Sequence, residues 1–214
     1  RVTILQLNDL YDIMPVEKGK KGGLARIATL RDRIAKESPD VVLVLAGDFL
    51  SPSTMSSVFQ GSQMVATLNA AGLDLATFGN HEFDFGLEVL RARIDQADYP
   101  YLSANLRLSA DGSVPTELGI QPYTIQEAAG RKVGIIGLSA TYTPLVANPA
   151  YLTELEFIDY EDALRESVPQ MRQEGAEIIL VIAHLCADEL ELLALQVADL
   201  GIAMLGGGHC HFAY

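Results

Sequence analysis

Short apolar runs of strand length alternate along the chain with segments whose apolar residues recur at helical spacing. The first run covers residues 2–7. After a loop rich in Gly and Lys (residues 18–23), residues 24–36 have a helical period. Ile27, Leu30 and Ile34 fall on one face there, and Arg26, Arg31 and Arg33 avoid it. Residues 41–46 are β-branched on both sides of the pleat, which predicts a strand buried on both faces. A helix over 63–71 and a strand over 74–78 follow, then a helix over 87–96 and a strand over 99–104. Residues 123–127 and 132–138 read as the arms of a hairpin turning at Gly130. A helix over 160–173 leads into a strand over 177–183, and a helix over 188–200 into a strand over 202–205. Such alternation predicts an α/β fold of parallel strands with crossover helices. The hairpin adds antiparallel pairing, so the sheet arrangement is mixed.

The polar residues that end these runs carry the chemistry. Asn8 and Asp9 follow the first run, Gly47 and Asp48 the second, and Gly79, Asn80, His81 and Glu82 the third. His184 ends a fourth, and a fifth runs into three glycines followed by His209, Cys210 and His211. The four histidines of the chain all sit at these ends. In a parallel α/β sheet the carboxyl ends of the strands share one edge, where ligands bind. A single histidine after a strand is more often a hydrogen-bonded structural residue, and Gly-Asp is more often a turn or a helix cap. A shared metal site accounts for all five ends at once. Carboxylates, imidazoles and an amide carbonyl suit borderline divalent ions such as Zn²⁺, Mn²⁺ or Fe²⁺. The candidate side chains outnumber the ligands of a mononuclear catalytic zinc, which favours two ions roughly 3.5–4 Å apart sharing a carboxylate.

Composition narrows the partners. The chain has 214 residues, the size of one ordinary domain, and 15 Lys+Arg against 28 Asp+Glu give a net charge of −13. That argues against holding a nucleic-acid polymer through a basic face. It leaves an anionic small substrate open, because two divalent ions exceed the charge of two carboxylates and one hydroxide. With 49% hydrophobic and 20% charged residues the chain is too apolar to be disordered. No apolar run approaches the roughly 18 residues of a membrane span. Cys186 and Cys210 show no CxxC spacing and are too few for a disulfide framework. They read as small semi-buried residues and leave the compartment open.

At the strand-end motifs the sequence resembles the calcineurin-like metallophosphoesterases, whose pattern runs D-x-H, GD, GNH[DE], an isolated His and GHxH. Within them it is similar to the 5′-nucleotidase branch: residues 79–84 read GNHEFD, and Gly22-Gly23-Leu24-Ala25-Arg26 and Gly47-Asp48-Phe49-Leu50-Ser51-Pro52 also match. The resemblance covers nearly the whole chain. It implies an α/β fold built as a mixed two-sheet sandwich flanked by helices, in four layers α/β/β/α. It implies that Asp9 and His211 hold a first metal, that Asp48 bridges both ions, and that Asn80, His184 and His209 hold the second, the ions being Zn, Mn, Fe or Mg. His81 is then the catalytic group beside the scissile phosphate, and Asp84 orients it and favours its protonated form. A metal-bound hydroxide is the implied nucleophile and a small phosphorylated compound, a nucleotide first, the implied substrate. Cyclic nucleotides and nucleotide sugars are alternatives within the branch, which the sulfur-oxidation thiosulfohydrolases also resemble. A non-catalytic scaffold that binds metal or phosphate is the competing class, and the intact His81–Asp84 pair argues against it.

Two features depart from the family pattern. The first motif reads Asn8-Asp9-Leu10-Tyr11-Asp12, with Tyr11 where the family has histidine. A neutral phenol is a poor ligand for a divalent ion. Tyr11 then coordinates weakly, or hydrogen-bonds a metal-bound water, or leaves the first site looser and partly empty; the second reading is preferred. Only Phe212, Ala213 and Tyr214 follow the GHxH motif, whereas relatives continue into a nucleoside-recognition domain. The expectation is a catalytic domain over residues 1–214, cut after its last ligand, with that second domain absent.

Overall fold

The computed structural model describes residues 1–211; residues 212–214 lie outside the described residues. The chain runs through β1 (Thr3–Leu7), α1 (Leu24–Glu37), β2 (Val41–Ala46), α2 (Thr54–Phe59), α3 (Ser62–Ala71), β3 (Leu75–Thr77) and α4 (Leu87–Gln96). It continues through β4 (Tyr101–Leu102), β5 (Leu106–Leu108), β6 (Ile120–Gln121), β7 (Tyr123–Ala128) and β8 (Arg131–Leu138). Then come α5 (Thr143–Val146), β9 (Leu155–Phe157), α6 (Tyr160–Gln173), β10 (Ile178–Ala183), α7 (Ala187–Gln196) and β11 (Met204–Gly206).

One sheet has the order β1-β2-β3-β4-β6 and is parallel throughout. The other has the order β11-β10-β8-β7 and is parallel except for the β7–β8 hairpin. Ala129 and Gly130 turn that hairpin, both at positive φ, as two-residue turns that follow strand twist require. The short strands β5 and β9 form a separate antiparallel pair.

Side chains alternate in and out along each strand, and this builds the layers. Val42, Val44 and Ala46 of β2 pack against Val133, Ile135, Leu180 and Ile182 between the sheets. Leu43 and Leu45 point the other way, into a core with Leu24, Met64, Leu68 and Leu90 from α1, α3 and α4. On the far side, Ile136, Leu138, Ile179 and Val181 meet Leu164, Val168 and Leu193 of α6 and α7. The three cores separate four layers, helix, sheet, sheet, helix, as the family resemblance implied.

Some expectations need correction. Leu30 is 51% exposed, so the inner stripe of α1 is not Ile27–Leu30–Ile34. Arg31 takes part in that stripe instead: its guanidinium lies against Gly72 and pairs with Asp74 at 3.7 Å. An arginine can do this because its planar, weakly hydrated guanidinium packs against a bare glycine while still reaching a carboxylate. The helix expected over 188–200 is α7 only to Gln196, followed by a 3₁₀ turn at Ala198–Leu200. Cys186 and Cys210 are not independent thiols but form a disulfide, with a Cα–Cα distance of 5.3 Å. The physical reason is strand order: β10 and β11 are parallel neighbours, so loops 24 residues apart in sequence emerge side by side.

Candidate metal centre

Because β1, β2 and β3 are parallel neighbours, and β10 and β11 are neighbours in the facing sheet, all five motif-bearing loops emerge at one edge. The approach is close enough to demand glycine. A Cβ on Gly47 would run into the backbone N of Gly79, and one on Gly79 into the Asp48 carboxylate. Eight non-glycine residues among those described have positive φ, and four of them are Asp9, Asp48, His209 and His211. Strained backbone thus concentrates where candidate donors converge, as it does at functional sites.

Asp48 is the centre of the arrangement and is 2% exposed. Its Oδ1 accepts the backbone N–H of His81 at 2.9 Å, and its Oδ2 lies 3.2 Å from His184 Nε2. Burial opposes ionisation of Asp48, but His184 and the His81 N–H outweigh it and hold the carboxyl below its usual range. His184 is fully buried, and its Nδ1 is 2.7 Å from the Ala46 carbonyl. A carbonyl can only accept, so Nδ1 carries a proton and Nε2 is the atom turned to Asp48. Burial opposes the imidazolium, but the facing Asp48 carboxylate outweighs it and raises the His184 pKa. An ion at this place would bind the deprotonated Nε2. Neither His184 Nε2 nor Asn80 Oδ1, both buried, has a hydrogen-bond partner. The His209 ring lies 5.1 Å from that of His184, and burial lowers its pKa, favouring the neutral, coordinating form. Asp48, His184 and His209 each present an atom within 4.8 Å of the others. Buried polar atoms without partners, facing a carboxylate, are costly unless a cation sits among them. These residues therefore fit a divalent ion.

The Asp9 end differs. Asp9 Oδ2 accepts from Asn8 Nδ2 at 2.7 Å and from the His209 backbone N–H at 2.8 Å. Asp9 Oδ1 accepts the Tyr11 hydroxyl at 3.2 Å and lies 3.1 Å from His211 Nε2. The Tyr11 hydroxyl is also 3.0 Å from His211 Nε2 and 3.4 Å from Asp48 Oδ2. Burial, with the Asp48 and Asp9 charges, pushes this phenol up, so it stays protonated. The structure thus gathers Asp9, His211 and Tyr11 into one hydrogen-bonded group. It does not bring Asp9, Asp48 and His211 into a compact trio like that around His184.

His81 stands at the start of a 3₁₀ turn (His81–Phe83), which carries its ring round to Asp84: Nδ1 to Oδ2 is 2.7 Å. That hydrogen bond is the largest of the effects on the ring, and with the Asp48 charge it outweighs partial burial and raises the imidazole pKa.

Glu82, named in the sequence only as part of a cluster, has a role that spacing did not show. It is 1% exposed and accepts four backbone N–H groups: Asp48 at 2.8 Å and Gly79 at 2.6 Å on Oε2, Phe49 at 2.8 Å and Leu50 at 3.2 Å on Oε1. Burial and the Asp48 charge push it up to about 7, while the N–H donors favour the anion. Tyr142 was not anticipated either. It follows β8, the parallel neighbour of β10, and its ring lies 4.8 Å from that of His209. The one available signal was that a loop after β8 must reach the same edge.

The family model for calcineurin-like phosphoesterases matches residues 2–212. The chain belongs to this family. Among curated relatives, a 5′-nucleotidase of Bos taurus is 31% identical over 221 residues, covering 97% of this chain and 38% of that protein. A snake venom 5′-nucleotidase of Gloydius brevicauda is 33% identical over 220 residues, covering 97% of this chain and 36% of that protein. The solved 5′-nucleotidase precursor from Thermus thermophilus superposes with a TM-score of 0.87 at 27% identity, covering 100% of this chain and 43% of the other. This phosphoesterase therefore falls in the 5′-nucleotidase branch and spans less than half the length of these relatives. Calcineurin-like phosphoesterases generally use a dinuclear divalent metal centre. No helix among the described residues of this member is long and apolar enough to cross a membrane.

Proposed function

We propose that the chain is the catalytic part of a metal-dependent phosphoester hydrolase that releases phosphate from nucleotides, most like a 5′-nucleotidase. The observation that carries this reading is the buried cluster of Asp48, His184 and His209, with Asn80 Oδ1 and His184 Nε2 lacking hydrogen-bond partners and the His81–Asp84 pair at the same edge. Asp48, Asn80, His184 and His209 hold one ion, and Asp9 and His211, with Asp48 shared, face a second position. When bound, divalent ions supply positive charge for the phosphate and an acidified water.

The protein groups do the rest. Asp84 accepts Nδ1–H of His81 and leaves Nε2–H of the imidazolium to face the phosphate and the departing ester oxygen. Proton donation there assists loss of the alkoxide. Activity dependent on the imidazolium is full below the raised pKa of His81 and falls as pH rises through it. Asp84→Asn removes the charge that raises this pKa, so the basic limb of the pH–kcat profile is expected to move to lower pH. An unmoved limb assigns it to another group.

A substrate panel tests the reading as a whole. Nucleoside 5′-monophosphates, cyclic nucleotides and nucleotide sugars are each incubated with the protein and Mn²⁺. The expected result is phosphate release from the monophosphates, abolished by chelation and restored by added metal. Turnover of cyclic nucleotides or nucleotide sugars without the monophosphates overturns the assignment. No turnover of any substrate with metal bound points to the scaffold class.

A further inference from the structure

The two ends of the centre differ in how their donor atoms are satisfied. Around His184 the buried polar atoms are poorly satisfied: Asn80 Oδ1 has no partner, and His184 Nε2 has only the Asp48 carboxylate 3.2 Å away, without a well-formed hydrogen bond. At the other end the corresponding atoms have partners. Asp9 Oδ1 takes the Tyr11 hydroxyl at 3.2 Å and faces His211 Nε2 at 3.1 Å, while Asp9 Oδ2 takes two N–H donors. The Tyr11 oxygen stands among Asp9, Asp48 and His211, at 3.2, 3.4 and 3.0 Å. A tyrosine reaches further from its Cα than a histidine. In this chain its oxygen therefore arrives among the three donors rather than beside them.

We propose that the Tyr11 hydroxyl takes the place of a cation at the Asp9–Asp48–His211 end. The protein then binds one divalent ion tightly at Asp48, Asn80, His184 and His209, and a second only weakly, by displacing the phenol. This rests on the reading of the site as a metal centre. A phenolic O–H donates to either carboxylate and accepts from His211 when its Nε2 is protonated, so it satisfies in part what a cation would satisfy. An entering ion must break those charge-assisted hydrogen bonds and gains no new ligand from a neutral phenol. The centre is asymmetric, with occupancy of its second position set by free metal concentration. Hydrolysis that needs both ions is then switched by metal supply at concentrations where the first ion is already saturated.

Calorimetric titration of Mn²⁺ into chelator-stripped protein, followed by electron paramagnetic resonance, tests this. The expected result is one tight ion per chain with the spectrum of isolated Mn²⁺, and a second bound about 100-fold or more weakly. Tyr11→His is expected to bring the second ion within about tenfold of the first, with an exchange-coupled spectrum. Tyr11→Phe, which removes the hydroxyl without adding a ligand, is expected to tighten the second ion by a smaller step. It carries the test if the histidine variant fails to fold by circular dichroism. Two equally tight ions in the unmodified protein overturn the proposal and leave the metal-centre reading intact. So does a second affinity that neither substitution changes. Absence of any tight ion overturns both.

Discussion

Replacing His81 with alanine is expected to lower kcat on a nucleoside monophosphate or a nitrophenyl phosphate by about 10²-fold or more, with metal content unchanged. Metal content should hold because His81 enters the centre through its backbone. Its N–H holds Asp48 Oδ1 at 2.9 Å, and alanine keeps that N–H. The ring is a separate part, tied to Asp84 at 2.7 Å and 6.0 Å, centroid to centroid, from the Tyr11 ring. Elemental analysis beside steady-state kinetics separates the two. Unchanged turnover removes His81 from the chemistry, and lost metal shows that its ring supports the centre instead.

The second large effect is on stability. Glu82→Gln is expected to destabilise the fold by about 3 kcal/mol, a fall in Tm of roughly 6–12 °C for a chain of this size. The carboxylate gives each of its oxygens to two backbone N–H groups, from residues 48, 79, 49 and 50. A carboxamide keeps one oxygen and turns its NH₂ toward the other two donors, leaving buried N–H groups facing N–H groups. Those donors fix the loop in which Asp48 adopts φ 58°, so weaker metal binding should accompany the lower Tm. Calorimetry showing a Tm within a degree of the unmodified protein would mean that the loop holds its shape without this anion.

The sequence showed clearly that β2 is buried on both faces, because the cause is local. Val42, Val44 and Ala46 alternate with Leu43 and Leu45, and that period alone assigns two faces to β2. The convergence of Asp48, His184 and His209 was equally legible, since parallel neighbours must deliver their following residues to one edge. The elements missed were those too short to show a period: β5 and β9 have three residues each, β6 two, α5 four and α2 six. At the site, the identity of Tyr11 was visible but its position was not, because spacing gives no side-chain reach. Glu82 was hidden for a different reason. Three of its four partners are backbone N–H groups 32 to 34 positions away, and backbone donors look the same in every sequence. Leu30 and Arg31 show the limit of a helical wheel, which ranks faces by polarity and cannot see that a guanidinium and a glycine fit together.

The disulfide also bears on how the protein fluctuates. β11 has three residues and lies at the edge of its sheet, the kind of element that opens first in native-state fluctuations. Opening it alone would carry His209 and His211 away from the rest of the centre. Cys210 sits between those histidines and is bonded to Cys186, at the N-cap of α7 and two residues beyond His184. The closed loop spans 24 residues and restricts the opened chain by roughly 3–4 kcal/mol of conformational freedom. Amide exchange through β11 and the first turn of α7 is then coupled, and both loops stay within reach of one another whenever that edge opens. Donors held this way return to the same partners on closing, so the centre is rebuilt in place after each excursion.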